Sequence, residues 1–238
     1  MPPTVGGRRR PLARQRCMGA SVASRTGLIE HRAVHFIGEH GAATLEAVAR
    51  NGGCDKRAAS LALESLLDAA IIERTRLLAG RPALYSLTSA GWRACGFPPP
   101  RPRRPSASSF EHSAALAGAA ATLGASGWVV LGERRYRAVE RVAGDPLGSV
   151  SIGPRLHRPD LVVLSGRRAY AVEVELTVKA PARLERICRA YLLAAHLDGA
   201  IYFAAPAARR AVERAAARAG AGDVVRVLAL DDVAALAP

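Results

Sequence analysis

The sequence contains few cysteines, and none of them is paired at short spacing. Cys17, Cys54, Cys95 and Cys188 lie far apart and form no CxxC motif. This spacing argues against a zinc ribbon and against a disulfide framework. A reducing, cytoplasmic environment is therefore the expectation.

Long apolar runs and common nucleotide or hydrolase motifs are also missing. Residues 114–131 carry no charge, but Ala, Gly, Ser and Thr fill most of these positions. We expect a helix that leads into a strand here, with no membrane contact. The basic start of the chain lacks the apolar stretch of a signal peptide. The patterns GxxxxGK[ST] and GxSxG are absent, which argues against a P-loop motor and against a serine hydrolase of that type.

Arginine is the residue that the chain has in excess. The formal net charge of the 238 residues is +14, and such an excess attracts polyanions such as nucleic acids. Residues 1–25 hold six basic and no acidic residues, and the segment FPPPRPRRP holds three basic and no acidic residues. The second segment is typical of a stiff linker. The sequence thus predicts a basic disordered tail (1–23), a first domain (24–96), a linker (97–105) and a second domain (106–238).

The first domain has the pattern of three helices followed by a hairpin. The helical spacing of the first segment ends at Gly41. The candidate N-caps of the next two helices are Thr44 and Asp55. Residues 71–88 alternate in the pattern of a strand and turn at Gly80. This order is that of a winged helix-turn-helix, in which the third helix enters the DNA major groove and the hairpin contacts the backbone or minor groove. A short further helix is expected to begin at residue 89.

The basic side chains of the first domain fall on the elements that would face double-stranded DNA. The expected DNA-binding residues are Lys56, Arg57 and Ser60 on the third helix and Arg74, Arg76 and Arg81 on the hairpin. The alternative is a winged helix that serves protein contacts or a homodimer, with these residues as ordinary surface.

The second domain alternates between helical and strand patterns. We expect helix 109–123, strands 128–137, 159–164 and 169–177, helix 180–197, strand 200–205, helix 206–219 and strand 224–230. The fold class is a mixed α/β sheet with flanking helices. In the first domain, the expected core residues of the third helix are Leu61, Leu63, Leu66 and Leu67.

Three carboxylates interrupt this otherwise apolar sheet. Glu173 and Glu175 alternate onto one face of strand 169–177, and Asp160 starts the neighbouring strand. Oxygen ligands from two strands suit Mg²⁺ or Mn²⁺, which would activate a water against a phosphodiester while Lys179 or a carboxylate orients the nucleophile. The alternative is a structural salt-bridge network with Arg167, Arg168 or Arg183.

Further polar residues surround the predicted acidic site. His112 and His157 are close enough in the predicted fold to contact a substrate. Lys179, Arg183 and Arg186 recur near helical spacing after the strand and form a candidate phosphate-binding rim.

One motif of the second domain resembles the core of PD-(D/E)xK nucleases. It consists of Pro159-Asp160, a predicted hairpin and Glu173-Val174-Glu175. The order helix, three strands, helix, strand over residues 109–205 is similar as well. The resemblance implies that Asp160 and Glu173 bind the metal and that Glu111 supplies a further acidic group. Glu175 stands where that family usually has a lysine.

The winged helix, the linker and several segments together resemble the replication-relaxation family of bacterial plasmids and mobile elements. These segments are FEHSAALA, GERRYR, RPDLVVL and AVEVELTVKAPARLERICRAYLLA. The resemblance spans most of residues 24–205 and implies a DNA-binding protein of plasmid replication or relaxation. Together with the nuclease-like core, it leads to the hypothesis of metal-dependent DNA nicking. Because Glu175 replaces lysine, a catalytically inactive replication or transcription regulator is the alternative. A protein-interaction adaptor is a third interpretation.

Overall fold

The computed structural model describes residues 13–97, 104–236 and 238, with side chains of the first helix from residue 26 onward. Residues 1–12 of the predicted tail and most of the predicted linker lie outside this range. The first helix begins at Ala13, so it includes residues 13–23, which the sequence predicted as part of a disordered tail.

The N-terminal part is mostly helical and ends in a small hairpin. Its elements are α1 (Ala13–His40), α2 (Leu45–Gly52), α3 (Lys56–Asp68), β1 (Ile72–Thr75), β2 (Leu84–Leu87) and α4 (Ser89–Ala94). The predicted caps are confirmed, because the side chains of Thr44 and Asp55 accept backbone N–H groups of Ala47 and Ala58. Gly41 follows α1 with a left-handed φ of 82°, as a helix-ending glycine does.

The C-terminal part is built on a five-stranded mixed sheet. Its elements are α5 (Phe110–Ala125), β3 (Val129–Gly132), α6 (Glu133–Ala143), β4 (Val150–Ile152), β5 (Arg155–His157), β6 (Leu161–Ser165), β7 (Arg168–Glu175), α7 (Pro181–Leu192), β8 (Gly199–Ala204), α8 (Pro206–Arg218), β9 (Val225–Ala229) and a 3-10 helix (Leu230–Ala235). The strand order is β3-β6-β7-β8-β9. Strands β3, β6 and β7 pair antiparallel, and β7, β8 and β9 pair parallel. The mixed α/β class predicted for this part is confirmed.

One predicted strand is wrong over most of its length. The segment 128–137 forms a strand only to Gly132 and then becomes helix α6. Tyr136 is fully buried on the inner side of this helix, where its hydroxyl donates a hydrogen bond to the carbonyl of Pro159. The charged residues around Tyr136 follow a helical face rather than a two-residue alternation. The predicted helix 180–197 is also shorter and ends at Leu192.

The sheet has a packed layer on each face. Val172 and Val174 of β7 belong to a core that includes residues of α5, whereas Ala171 belongs to a core with residues of α7 and α8. This alternation along β7 is the one predicted from the sequence. It places Glu173 and Glu175 on the α7 side of the sheet.

The two parts of the chain share one continuous core. Apolar residues of α1, α2 and α3 belong to the same cluster as residues of α5 and the sheet. Polar contacts add to this junction: Glu39 accepts the N–H of Gly132 at 2.7 Å, and Arg50 donates to the Thr122 hydroxyl at 2.6 Å. The predicted linker therefore separates two sequence patterns without separating two cores. Within the described ranges, no helix is both long and apolar enough to cross a membrane.

The start of α4 lies unusually close to the end of α3. The N–H of Thr88 donates to the carbonyl of Ile71 at 3.0 Å, and the N–H of Gly91 donates to the Thr88 hydroxyl at 2.9 Å. A Cβ atom on Gly91 would lie only 2.0 Å from the Ile71 carbonyl oxygen. Only glycine fits at this position without a backbone shift.

We expect Gly91→Ala to lower the free energy of unfolding by about 1–3 kcal/mol, because the added methyl group overpacks the contact with Ile71. Gly118→Ala is the matched control, since a Cβ there meets nothing within 4 Å. In the middle of α5 this control should raise stability by about 0.5–1 kcal/mol. Urea denaturation followed by circular dichroism measures both. If the urea midpoints of both variants shifted in the same direction, the close approach of Gly91 to the Ile71 carbonyl would be contradicted.

Candidate functional site

The pairing of β6 with β7 brings the three predicted carboxylates to one end of the sheet. Leu161 pairs with Val172, so Asp160 comes opposite Glu173. Asp160 Oδ2 accepts the backbone N–H of Val174 at 2.8 Å. The side chains of Glu173 and Glu175 are only 5% and 3% exposed. We call Asp160, Glu173 and Glu175 the acidic cluster.

Glu173 is held by partners from two other elements. Its Oε1 accepts a hydrogen bond from the Tyr191 hydroxyl of α7 at 2.6 Å and lies 2.5 Å from Nε2 of His157 in β5. Burial raises the pKa of Tyr191 well above its ordinary value, so this tyrosine stays a neutral donor. A buried carboxylate is tolerated only with such partners.

The other two carboxylates also have neighbours of opposite or switchable charge. Lys179 Nζ lies 2.5 Å from Glu175 Oε2, and His112 Nε2 lies 3.3 Å from Asp160 Oδ1. The hydrogen bond with Asp160 raises the pKa of His112 against the opposing effect of burial. The charges of Lys179 and Glu175 act on His112 in opposite directions and more weakly.

The predicted arginine network is not the one that neutralises the acidic cluster. Arg167, Arg168 and Arg183 are exposed, and none of them forms an ion pair with the three carboxylates among the described residues. Their expected role is taken by His112, His157, Tyr191 and Lys179. The sequence placed His112 and His157 near the site, and the structure brings both into direct contact with it.

The acidic cluster in this arrangement does not fit the expected Mg²⁺ or Mn²⁺ site. A hard cation needs several oxygen atoms that face one point, but both Asp160 oxygens, Glu173 Oε1 and Glu175 Oε2 each contact an N–H, a hydroxyl, an imidazole or an ammonium group. Within residues 13–97 and 104–238, leaving out 237, no group of three or more His, Cys, Asp or Glu is arranged to hold a metal ion. Glu111, expected as a further ligand, pairs instead with Arg81 at 3.0 Å.

A cleft of about 830 Å³ opens beside the acidic cluster, between the N-terminal helices and the sheet. Helices α1, α5 and α6 line it, and both His112 and Asp160 belong to its wall. The α6 wall carries Arg134, Arg135, Arg137 and Arg141. We call this space the α6 cleft.

The α6 arginines are the functional candidates that the sequence interpretation missed. They were assigned to a strand, where their side chains would have alternated between the two faces of the sheet. The signal that could have found them is helical spacing, because Arg134, Arg137 and Arg141 are three and seven residues apart. Such spacing places them along one side of a helix.

The predicted DNA-binding residues of α3 lie at its exposed start. Lys56 is exposed and lies 3.6 Å from Glu46, Arg57 is exposed, and Ser60 Oγ donates to Glu64 at 3.4 Å. Leu61, predicted as a core residue, is 56% exposed on this surface. The apolar side of α3 is formed instead by residues such as Leu63 and Leu66.

The predicted residues on the hairpin and on α7 have different surroundings. Arg74 and Arg76 are exposed on the hairpin. Arg81 is engaged with Glu111 of α5, so it ties the hairpin to the C-terminal part. On α7, Arg183 is exposed, while Arg186 Nε donates to the carbonyl of Ala182 at 3.3 Å.

Comparison with known proteins gives weak similarity only. No protein-family model matches the chain, and no curated protein matches it. The structure of NadR in complex with 4-hydroxyphenylacetate is 15% identical with a TM-score of 0.26, over 60% of this chain and 87% of that chain. The structure of protein VC1899 from Vibrio cholerae is 12% identical with a TM-score of 0.33, over 91% of this chain and 50% of that chain. Similarity at this level supports no conclusion about function.

We expect Tyr191→Phe to lower the free energy of unfolding by about 1–3 kcal/mol, because it removes a donor from the buried Glu173 carboxylate. Tyr170→Phe is the matched control, since the Tyr170 hydroxyl makes no hydrogen bond with the described residues. The control should change stability by less than about 0.5 kcal/mol. Urea denaturation at neutral pH compares the two. Equal effects would show that the Tyr191 hydroxyl does not support Glu173.

We expect the pKa of His112 to lie above its ordinary value of 6.5 in the folded protein and to fall in Asp160→Asn. A raised folded-state pKa means that this pair stabilises the fold fully below the unfolded value, and that the contribution is lost as the pH rises through the folded value. NMR titration of the His112 ring measures the shift. Glu111→Gln is the control and should leave the pKa unchanged, because Glu111 faces Arg81. A pKa of His112 that does not respond to Asp160→Asn would contradict the pairing.

Proposed function

We propose that this protein binds double-stranded DNA through a winged helix in its N-terminal part, as a replication or regulatory factor of the replication-relaxation type. The C-terminal part is then a nuclease-like domain whose acidic cluster has a structural role. The observation that carries the proposal is the exposed basic start of α3 beside a hairpin that also carries exposed arginines. The plasmid or mobile-element context rests on the resemblance of the sequence segments given above.

The arrangement of the N-terminal elements supports the winged-helix assignment. Helices α1, α2 and α3 precede the β1–β2 hairpin in the expected order. Ala43, between α1 and α2, exchanges two backbone hydrogen bonds with Tyr85 of β2, at 3.0 and 2.9 Å. This bridge attaches the hairpin to the helices and fixes its direction relative to α3.

The surface of α3 supports its assignment as the recognition helix. Base edges are read by the first residues of such a helix, and Lys56 and Arg57 are the first two residues of α3. The ion pair of Lys56 with Glu46 is exposed on both sides, so it contributes little stability and a DNA phosphate can replace it. The exposed Leu61 lies one turn further along the same helix, where an apolar group suits a thymine methyl group.

The C-terminal topology supports the nuclease-like assignment. Helix α5, the antiparallel strands β3, β6 and β7, helix α7 and the parallel strand β8 follow the order that the PD-(D/E)xK resemblance implies. Metal-dependent nicking is not part of this proposal, because the oxygen atoms that would bind a cation contact His112, His157, Tyr191 and Lys179. A pure protein adaptor is the weaker interpretation, since basic rather than apolar side chains dominate the exposed start of α3.

We expect the double variant Lys56→Gln/Arg57→Gln to bind duplex DNA roughly tenfold more weakly or worse. Its plot of log affinity against log salt concentration should become shallower by about 1.8, because each lost phosphate contact removes about 0.9 from the slope. Fluorescence anisotropy with a labelled duplex over a salt series gives both quantities. Arg74→Gln/Arg76→Gln should act in the same direction.

The matched control is Arg167→Gln/Arg168→Gln, which removes two exposed positive charges at the turn between β6 and β7. It should leave the affinity and the slope close to those of the unchanged protein. If the control weakened duplex binding as much as the α3 variant, the affinity for DNA would depend on the total charge of the protein. The proposed winged-helix interface would then be wrong.

A further inference from the structure

We propose that the α6 cleft binds a single-stranded segment of DNA, with α6 arginines on its phosphates and the rings of Phe97 and His35 against its bases. The inference rests on the proposed function, because it adds a strand-binding site to a protein that docks on duplex DNA. A strand in the cleft would lie beside Asp160, which belongs to its wall.

The size of the α6 cleft favours one strand over two. Its volume of about 830 Å³ lies within the roughly 300–1,000 Å³ of sites that enclose small ligands. A nucleotide or two fits such a space. A duplex is too large to be enclosed by it.

The charges around the α6 cleft leave arginines available for phosphate. Each acidic side chain that lines it has its own partner: Glu39 accepts the Gly132 N–H, Glu133 pairs with Arg137 at 3.1 Å, and Asp160 lies beside His112. Burial raises the pKa of Glu39 against the opposing effects of the Gly132 N–H and Arg135.

Arg135 and Arg141 are the arginines of the cleft without a close ionic partner, although the positive charge of Arg135 lowers the pKa of Glu39. They make no ion pair with any residue that the structure describes, and both are exposed. They lie nearly two helical turns apart on α6. Both line the same cleft, so each can contact a phosphate of a strand that is bound there.

An aromatic surface lies on the opposite side of the cleft. Phe97 is half-buried, stacks on Trp92 with ring centroids 4.7 Å apart, and lies 5.5 Å from the ring of His35. Arg134 of α6 covers the Trp92 ring at 4.7 Å. A positively charged groove with aromatic rings is the arrangement by which proteins hold single strands, because every base can stack.

The neutralised acidic cluster agrees with a phosphate strand in this cleft. A bare carboxylate about 4 Å from a phosphate would repel it strongly in a partly buried site. Here Asp160 is paired with His112, and that histidine lines the same cleft. When His112 is protonated, its charge therefore offsets that of Asp160 beside the strand.

The test uses the full chain and a labelled oligothymidylate of about ten nucleotides, in the size range that single-strand sites cover. Arg135→Gln/Arg141→Gln should weaken single-strand binding roughly tenfold and make the salt dependence shallower by about 1.4, at about 0.7 for each phosphate contact. His35→Ala changes an exposed ring and should weaken binding about fivefold or more, as loss of one stacked base does. Phe97→Leu keeps the apolar contact with the core and should have a similar effect.

The control is again Arg167→Gln/Arg168→Gln, which should leave single-strand binding unchanged. Single-strand binding that is lost in the cleft variants while duplex binding persists supports the inference. Duplex binding that depends on Lys56 and Arg57, without cleft-dependent binding of the single strand, overturns the inference and leaves the proposed function standing. Cleft-dependent binding of the single strand without duplex binding overturns the winged-helix proposal and retains the cleft site.

Discussion

The burial of the Glu173 carboxylate is the constraint on which the C-terminal architecture depends. An ionised group in a sheet core is costly unless donors surround it. The donors come from β5, through His157, and from α7, through Tyr191. Glu173 therefore fixes where the β4–β5 hairpin and helix α7 pack on β7. The neighbouring Glu175 is buried to the same degree and depends on Lys179 in the segment that leads into α7.

The docking of the N-terminal part on the sheet creates the α6 cleft. The Glu39 contact with Gly132 joins α1 to the start of α6, and the cation–π contact of Arg134 with Trp92 joins α6 to α4. The Arg81–Glu111 pair adds a link between the hairpin and α5. These contacts come from several elements of both parts, and together they hold the N-terminal helices against the sheet.

Local signals predicted most of the elements, the acidic cluster and its neighbours His112, His157 and Lys179, but not Tyr191. Caps such as Thr44 and Asp55 act within one turn, and strand alternation sets the faces of Glu173 and Glu175, so both can be read from short segments. Tyr191 is 18 residues from Glu173, and only the packing of α7 shows that they meet. Glu111 was misassigned because adjacent helix positions point about 100° apart: its neighbour His112 faces the cluster, and Glu111 faces Arg81.

The partners of the carboxylates determine how this end of the sheet would meet an anion. Two unit charges of like sign about 4 Å apart repel by about 4 kcal/mol at the effective dielectric of a protein surface, so unpaired carboxylates exclude a phosphate unless a cation lies between them. His112 and Lys179 supply that positive charge from within the chain. In the proposed strand complex, phosphates in the α6 cleft would meet an Asp160 that already has a partner, beside the exposed Arg135 and Arg141.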